Sequence, residues 1–191
     1  VLTSGSTGEP KTIRLSHAAV VASAQASLER LGGPGAWLMA LPPTGMGGFQ
    51  VLVRSALAGI EPVFLDDFED FSAAVAALRA RGAVRSYVSV VPTQLHRMAE
   101  HGQLAKLADF DAVLVGGAPT SVKLRAAAAD AGVDLVRTYG MTGTAGGCIY
   151  DGDTLPGVRM RIESDGRIAL AGPTLFEGAP EWWVTEDLGR I

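Results

Sequence analysis

The chain has 191 residues, of which 48% are hydrophobic and 19% charged, and its formal net charge is -4. This length and composition predict one domain, or one domain with a small appendage, with a substantial buried core and no extended disorder. The excess of acidic residues argues against a broad phosphate-neutralising surface, so we expect neither nucleic acid nor an anionic membrane as a partner.

The first predicted element is a helix that Ser16 caps and that Gly32 and Gly33 end, because apolar residues recur at helical spacing between them. Short apolar segments that do not alternate follow and predict buried parallel strands, at residues 36–41, 62–65, 87–91, 112–115 and 135–139. Helical patterns separate them, at residues 50–57, 71–81, 93–100 and 121–131. The alternation predicts a layered αβα fold with a largely parallel sheet, whose site lies at the carboxyl ends of the strands.

The pattern changes after Tyr150. Residues 158–163 and 167–170 predict a β-hairpin around the Asp165-Gly166 turn. We therefore expect an α/β core at residues 1–152 and the start of a small β-rich subdomain at residues 153–191. The single cysteine, Cys148, excludes an internal disulfide and is expected to be a packed thiol in a cytoplasmic protein.

A polar loop near the start of the chain is the strongest functional signal. Hydroxyls, glycines and one lysine are concentrated in nine residues: Thr3, Ser4, Gly5, Ser6, Thr7, Gly8, Glu9, Pro10 and Lys11. Such a loop can offer backbone N–H groups, hydroxyls and a cation to a polyphosphate, although a plain surface turn has a similar composition. It is not a Walker A loop, since Pro10 stands where that motif needs glycine.

The loop resembles the phosphate-binding signature T-S-G-[ST]-T-G-x-P-K of the adenylate-forming superfamily. Further motifs match in the family's order: Gly116-Gly117-Ala118-Pro119, Thr138-Tyr139-Gly140-Met141-Thr142 and the segment around Asp187. The resemblance implies that the first motif contacts adenine, that Tyr139 stacks on the base, that Thr142 reaches the α-phosphate and that Asp187 holds the ribose hydroxyls. Each fragment alone also suits an ordinary turn or a solvated loop acid.

Three other segments resemble o-succinylbenzoate-CoA ligases of the compact actinobacterial type, which act in menaquinone biosynthesis. They are residues 52–55, 91–97 and 146–152. The resemblance implies that ATP activates a carboxylic acid as an acyl adenylate, which coenzyme A converts into a thioester. It implies catalytic roles for Lys11 and Thr142 and substrate contacts for Arg54, Thr93 and Gly147. Arg54 has an alternative interpretation, as a structural ion-pair partner on a half-buried helix.

Three positions depart from the family pattern. Gly143 stands where the family has the glutamate that holds Mg²⁺, Thr44-Gly45 where ligases have a histidine pair, and Glu186 where the family has glycine. The metal ligands are therefore unknown, and restoring glutamate at residue 143 is expected to strengthen the magnesium dependence of ATP binding.

Two hypotheses follow. In the first, the chain is the core of an ATP-dependent acid-CoA ligase acting on o-succinylbenzoate or on another aryl or acyl acid. In the second, it is a diverged core that binds an adenine nucleotide or acyl adenylate but catalyses little. The sequence starts at Val1 and stops at Ile191 inside a motif, so we expect an excerpt whose mobile C-terminal domain, with the adenylation lysine, lies beyond Ile191.

Overall fold

The computed structural model describes residues 2–3 and 11–190, with the side chains of residues 2, 3 and 11 left out. The helices within these residues are α1 (His17–Arg30), α2 (Met46–Ala58), α3 (Phe71–Arg79), α4 (Pro92–Glu100) and α5 (Val122–Asp130). The strands are β1 (Leu2–Thr3), β2 (Lys11–Thr12), β3 (Ala36–Met39), β4 (Val63–Phe64), β5 (Ser86–Val90), β6 (Ala112–Val115), β7 (Leu135–Met141), β8 (Gly146–Tyr150), β9 (Asp153–Thr154), β10 (Arg159–Ile162), β11 (Arg167–Ala171) and β12 (Trp183–Leu188).

The main sheet has seven strands in the order β4-β3-β5-β6-β7-β8-β9. The pairs from β4 to β7 are parallel, and the last two pairs, β7 with β8 and β8 with β9, are antiparallel. The helices joining the parallel strands supply the long crossovers that such pairing needs. The predicted αβα fold with a largely parallel sheet is confirmed.

Helices cover both faces of this sheet, and the strand residues alternate between two hydrophobic clusters. Leu38, Val88 and Val113 pack on one face with residues of α3, α4 and α5. Trp37, Tyr87 and Leu114 pack on the other face with α1 and α2. Burial on both faces explains why these strands are continuously apolar in sequence.

Helix α1 follows the sequence prediction, since the Ser16 hydroxyl accepts a hydrogen bond from the Ala19 N–H at 3.0 Å. Helix α2 begins at Met46, four residues before the predicted start. Its first turn contains Gly47 and Gly48, which have low helix propensity. A Cβ at residue 48 would overlap the Pro42 carbonyl, so the close approach of the preceding loop requires glycine there.

The predicted hairpin is present and forms two strands of a separate antiparallel sheet with the order β10-β11-β12. The Asp165 carboxylate accepts a hydrogen bond from the Arg167 N–H at 3.1 Å and stabilises the turn. Ile168 and Leu170 of β11 pack into the cluster that covers the α1 and α2 face. Strand β9 still pairs with β8 of the main sheet, and the division of the chain at residues 152 and 153 stays a prediction.

Among the described residues, no helix combines the length and the apolar composition that crossing a bilayer requires.

Candidate active site

Two adjoining cavities lie at the carboxyl ends of the parallel strands. The first has a volume of about 510 Å³, and its polar side chains are Thr44, Gln50, Arg54, Ser89, Thr138, Thr142 and Tyr150. The second has a volume of about 680 Å³, and Arg125, Arg137, Tyr139, Asp151, Asp187 and Arg190 contribute to its lining. Gly117, Thr138 and Gly140 line both cavities, so the end of β7 forms a shared wall. Ligand sites of α/β sheets lie at this edge.

A β-bulge shapes this wall. Tyr139 pairs with Ile149 and Gly140 with Gly147, which leaves Cys148 as an extra residue on β8. In a regular strand, residues two apart share a face. Here Gly147 lines the first cavity and Ile149 the second, because the extra residue changes the face. Cys148 itself is buried, as expected, and burial raises the pKa of its thiol to about 11.

Arg54 is the charged residue in the described lining of the first cavity. Its side chain comes from α2, is 4% exposed and lies with its guanidinium 4.3 Å from the centre of the Trp37 ring. Nε donates to the Gln50 carbonyl at 2.9 Å, whereas Nη1 is buried without a hydrogen-bond partner among the described residues. Burial lowers the pKa of Arg54.

The alternative interpretation of Arg54 as an ion-pair partner finds no support in the described part of the chain, where no carboxylate contacts it. The described lining of the first cavity contains no aspartate or glutamate. A buried cation with a free donor and no acid nearby provides a site for an anion.

Gln50 was missed by the sequence analysis. It lies one helical turn before Arg54, is buried, and donates from Nε2 to the Ala145 carbonyl at 2.6 Å. The same nitrogen lies 3.3 Å from the Val20 carbonyl of α1. Gln50 therefore joins both helices to the turn after β7. Its spacing of four residues from Arg54, on one helix face, is the signal that could have found it.

The turn after β7 is a 3₁₀ turn over Thr142–Thr144. The Thr144 hydroxyl accepts from the Met141 N–H at 2.9 Å and lies 2.7 Å from the Gly146 carbonyl oxygen. Ala145 ends the turn in the left-handed region with φ 53°. The backbone is thereby fixed, and Thr142 lines the first cavity.

An aromatic pair occupies the space around Gly143. Phe176 and Trp183 meet edge to face with ring centres 5.1 Å apart, and the Phe176 N–H donates to the Gly143 carbonyl at 3.0 Å. A Cβ at residue 143 would lie 2.8 Å from the Trp183 ring. Glycine at this position thus suits the packing around it.

The second cavity brings Tyr139 and Asp187 together. The Tyr139 hydroxyl donates to Asp187 Oδ2 at 2.8 Å. Burial, and then the hydrogen bond to Asp187, raise the pKa of Tyr139 well above its ordinary value. Gly117 and Ala118 line the same cavity, and Gly116 lies so close to Thr138 that a Cβ there would overlap its hydroxyl.

The remaining predicted site residues fall into three groups: those outside the described residues, those away from both cavities and those that line the first cavity. Ser4, Gly5, Ser6, Thr7 and Gly8 are outside the described residues; the backbones of Thr3 and Lys11 are register partners in the pair of β1 and β2. Thr93 is exposed in the first turn of α4 and lines neither cavity, whereas Gly147 and Met141 line the first.

At residue 143, where the resemblance implies a magnesium ligand, the chain offers no side-chain ligand. Within residues 2–3 and 11–190, no group of three His, Cys, Asp or Glu side chains is placed to hold a metal. Gly143 offers no carboxylate, and the aromatic pair fills the space beside it.

Sequence comparison with known proteins identifies the family of this chain. The sequence model of the AMP-binding enzyme family matches residues 1–177, so the chain belongs to the AMP-binding enzyme family. A probable 2-succinylbenzoate-CoA ligase of Mycobacterium tuberculosis is 45% identical, with 100% of this chain and 54% of the relative covered. The chain spans about half the length of the curated relatives it matches.

Two solved structures share the fold. Wild-type Escherichia coli MenE, with a bound m-phenylether-linked analogue of OSB-AMS, is 26% identical with a TM-score of 0.82, over 100% of this chain and 45% of that one. The o-succinylbenzoate-CoA synthetase of Bacillus subtilis, in complex with ATP and magnesium ion, is 23% identical with a TM-score of 0.82, over 99% and 46%. The second likeness concerns the fold alone.

Proposed function

We propose that the chain is the nucleotide- and acid-binding part of an AMP-forming acid-CoA ligase whose substrate is o-succinylbenzoate. One observation carries the proposal: two cavities with complementary chemistry share the end of β7 as a wall. The first cavity contains the buried cation of Arg54, and its described lining has no acidic side chain. The second contains the half-buried Tyr139 and the Asp187 carboxylate. The name of the Mycobacterium tuberculosis relative supports this choice of acid.

The reaction joins the substrate carboxylate to the α-phosphorus of ATP. A carboxylate oxygen attacks phosphorus, the bond to the bridging oxygen breaks, and pyrophosphate leaves with its electron pair. The coenzyme A thiolate then attacks the acyl carbon and displaces AMP. Because two anions meet in the first step, hydrogen-bond donors and cations must surround the transferring group. We assign this role to Lys11 and Thr142, with the hydroxyls and backbone N–H groups of the 3–8 loop.

The substrate is a dicarboxylic acid, so one carboxylate reacts and the other remains for recognition. We assign recognition to Arg54, whose Nη1 is a donor without a described partner. A bound carboxylate would compensate the desolvation of this cation, and binding would select acids with a second negative charge. Gly147, which lines the first cavity, completes the proposed substrate contacts, whereas Thr93 lies outside both cavities.

We place the adenine in the second cavity, stacked on Tyr139 beside Gly116, Gly117 and Ala118, with the ribose on Asp187. This arrangement directs the α-phosphate along β7 towards Thr142, at the edge of the first cavity. The substrate carboxylate and the α-phosphate then meet at the end of β7. Hydrogen-bond donors already placed at this meeting point reduce the reorganisation that the reaction needs.

Calorimetry on the purified chain tests the proposal. Titrations with ATP and with AMP should both show binding, and o-succinylbenzoate should bind more tightly than benzoate, which lacks the second carboxylate. Absence of nucleotide binding to a folded sample would overturn the assignment of the second cavity. Equal affinity for the two acids would overturn the assignment of Arg54.

A second candidate function is favoured by the packing around Gly143. Without a carboxylate there, the chain would hold an adenine nucleotide or an acyl adenylate and catalyse little. A pyrophosphate-release assay separates the two candidates, since the binding protein should bind ATP without releasing pyrophosphate above the uncatalysed rate.

A further inference from the structure

Tyr139 and Asp187 are 48 residues apart and belong to different sheets, Tyr139 to β7 of the main sheet and Asp187 to β12 of the small one. Their 2.8 Å hydrogen bond is a direct polar link between the two sheets inside the second cavity. Stacking on a base uses only the ring of a tyrosine. The hydrogen bond from the Tyr139 hydroxyl to Asp187 is therefore independent of stacking.

The hydroxyl limits how the Asp187 carboxylate can turn. Its Oδ2 atom accepts from Tyr139, and its backbone N–H donates to the Thr185 hydroxyl at 3.2 Å. That hydroxyl is itself buried and donates to the Ile168 carbonyl at 3.0 Å. The backbone and one carboxylate oxygen are thus fixed, while Oδ1 has no protein partner among the described residues and remains able to accept from a ligand.

The position of a fixed acceptor matters for selectivity. A carboxylate that rotates freely accepts hydrogen bonds from many ligand geometries and loses conformational entropy when a ligand orders it. One that is already oriented by a second residue favours the ligand whose hydroxyls match its direction. The hydrogen bond from the Tyr139 hydroxyl fixes the direction of one Asp187 carboxylate oxygen.

We propose that the Tyr139 hydroxyl, independently of its ring, is a positioning group that orients Asp187 and thereby makes the site select ribose over deoxyribose nucleotides. This inference rests on the proposed nucleotide function and adds to it a determinant of sugar specificity. Tyr139 acts here through Asp187, which makes the ribose contact.

The test is the variant Tyr139→Phe, which keeps the ring and removes the hydroxyl. Affinities for ATP, 2′-deoxy-ATP and 3′-deoxy-ATP are measured by calorimetry on the full chain. We expect wild-type protein to prefer ATP, and Tyr139→Phe to lose about tenfold in ATP affinity, as expected for one charge-assisted hydrogen bond. The affinity for at least one deoxy nucleotide should change less than twofold. The ratio of the ATP affinity to that affinity should therefore approach one.

Two further variants separate the hydroxyl from other effects. Tyr139→Leu removes the ring as well and should weaken all three nucleotides. Tyr87→Phe is a matched control, because the Tyr87 hydroxyl is bound to the Leu31 and Gly33 carbonyls at 3.0 Å and lines neither cavity. It should leave the nucleotide ratios unchanged even if stability falls.

The outcomes are distinct. If wild-type protein binds ATP and Tyr139→Phe keeps the wild-type ratios for both deoxy nucleotides, the inference is wrong while the proposed function stands. If folded wild-type protein binds no nucleotide, both are wrong. The double variant Tyr139→Phe/Asp187→Asn should show no further loss of ribose selectivity beyond Asp187→Asn, because the hydroxyl acts through that carboxylate.

Discussion

The Arg54 guanidinium lies 4.3 Å above the Trp37 ring, in a cavity whose described lining contains no acidic side chain. The ring stabilises the cation without neutralising it. Arg54 is thus held in place, buried, with Nη1 still available as a donor.

The first prediction concerns Arg54→Met. Loss of a charged hydrogen bond should weaken o-succinylbenzoate binding about ten- to a hundredfold and leave ATP affinity unchanged. Arg54→Lys should give an intermediate loss, since it keeps the charge without the planar fork. The measurement is a calorimetric titration of each variant with the acid and with ATP.

Stability provides the control for this experiment. Replacing a buried, unpaired charge by an apolar side chain of similar volume is commonly neutral or stabilising. The melting temperature of Arg54→Met should therefore equal or exceed that of the wild type. A large fall would mean that Arg54 is mainly a structural residue.

The second prediction concerns Gly143→Ala. The added Cβ would lie 2.8 Å from the Trp183 ring and 3.3 Å from that of Phe176, so we expect a loss of about 1–3 kcal/mol in the free energy of unfolding. In a Trp183→Leu background the same substitution should cost much less, because the clashing ring is gone. Denaturant unfolding of the four proteins measures this coupling; additive losses would contradict the packing argument.

The same packing refines the expectation for Gly143→Glu. Glutamate alone should destabilise the chain rather than simply strengthen the magnesium dependence of ATP binding, since the Trp183 ring lies against the site of the new side chain. The combination Gly143→Glu/Trp183→Leu makes room, and there a magnesium titration of ATP affinity should show the stronger dependence. An unchanged titration in the double variant would remove residue 143 as a position for a metal ligand.

The third prediction concerns Gln50→Leu. The substitution leaves the buried Ala145 carbonyl without its 2.6 Å donor, at a cost of about 1–3 kcal/mol in stability. Because the turn carrying Thr142 is then held less firmly, ATP affinity should also fall. Gln94→Leu is the control: its amide donates to the Ala40 carbonyl at 2.7 Å and accepts from the Val91 N–H at 3.0 Å, and neither residue belongs to that turn. It should reduce stability alone, and an equal loss of ATP affinity in both variants would argue against the role of Gln50.

The fourth prediction is a pH dependence from Cys148. Burial raises the pKa of its thiol to about 11, whereas the pKa of an unfolded thiol is about 8.5. The unfolded state therefore loses a proton first, and the contribution of this residue is present below about pH 8.5 and is lost towards pH 11. Between pH 7.5 and pH 10, wild-type stability should fall by about 1–2 kcal/mol more than that of Cys148→Ala in denaturant unfolding. Parallel curves for the two proteins would contradict this.

Much of the fold could be predicted because its signals are local. The parallel strands are buried on both faces, so each is a short apolar run that periodicity detects. The start of α2 could not be predicted, since Gly47 and Gly48 suggest a loop. Glycine is required at residue 48 by the close approach of the Pro42 carbonyl, which is a tertiary contact and leaves no local signal in the sequence.

The site was predictable as a set of motifs but not as a set of contacts. Tyr139 and Asp187 were each identified, whereas their hydrogen bond joins residues 48 positions apart. The packing of Trp183 against Gly143 also joins residues that are far apart in sequence, and no local pattern encodes it. Thr93 shows the converse, since its motif matched while its side chain lines neither cavity.

The bulge at Cys148 allows the length of β8 to vary at this one position. Residues after the extra position, Ile149 and Tyr150, face the second and the first cavity respectively. Deleting Cys148 would make Gly147 and Ile149 neighbours, and neighbouring residues of a regular strand face opposite sides. Each would therefore keep its partner on β7 and the cavity that it lines now. A codon lost at this point of the gene would straighten the strand and leave the walls of both cavities lined by the same side chains.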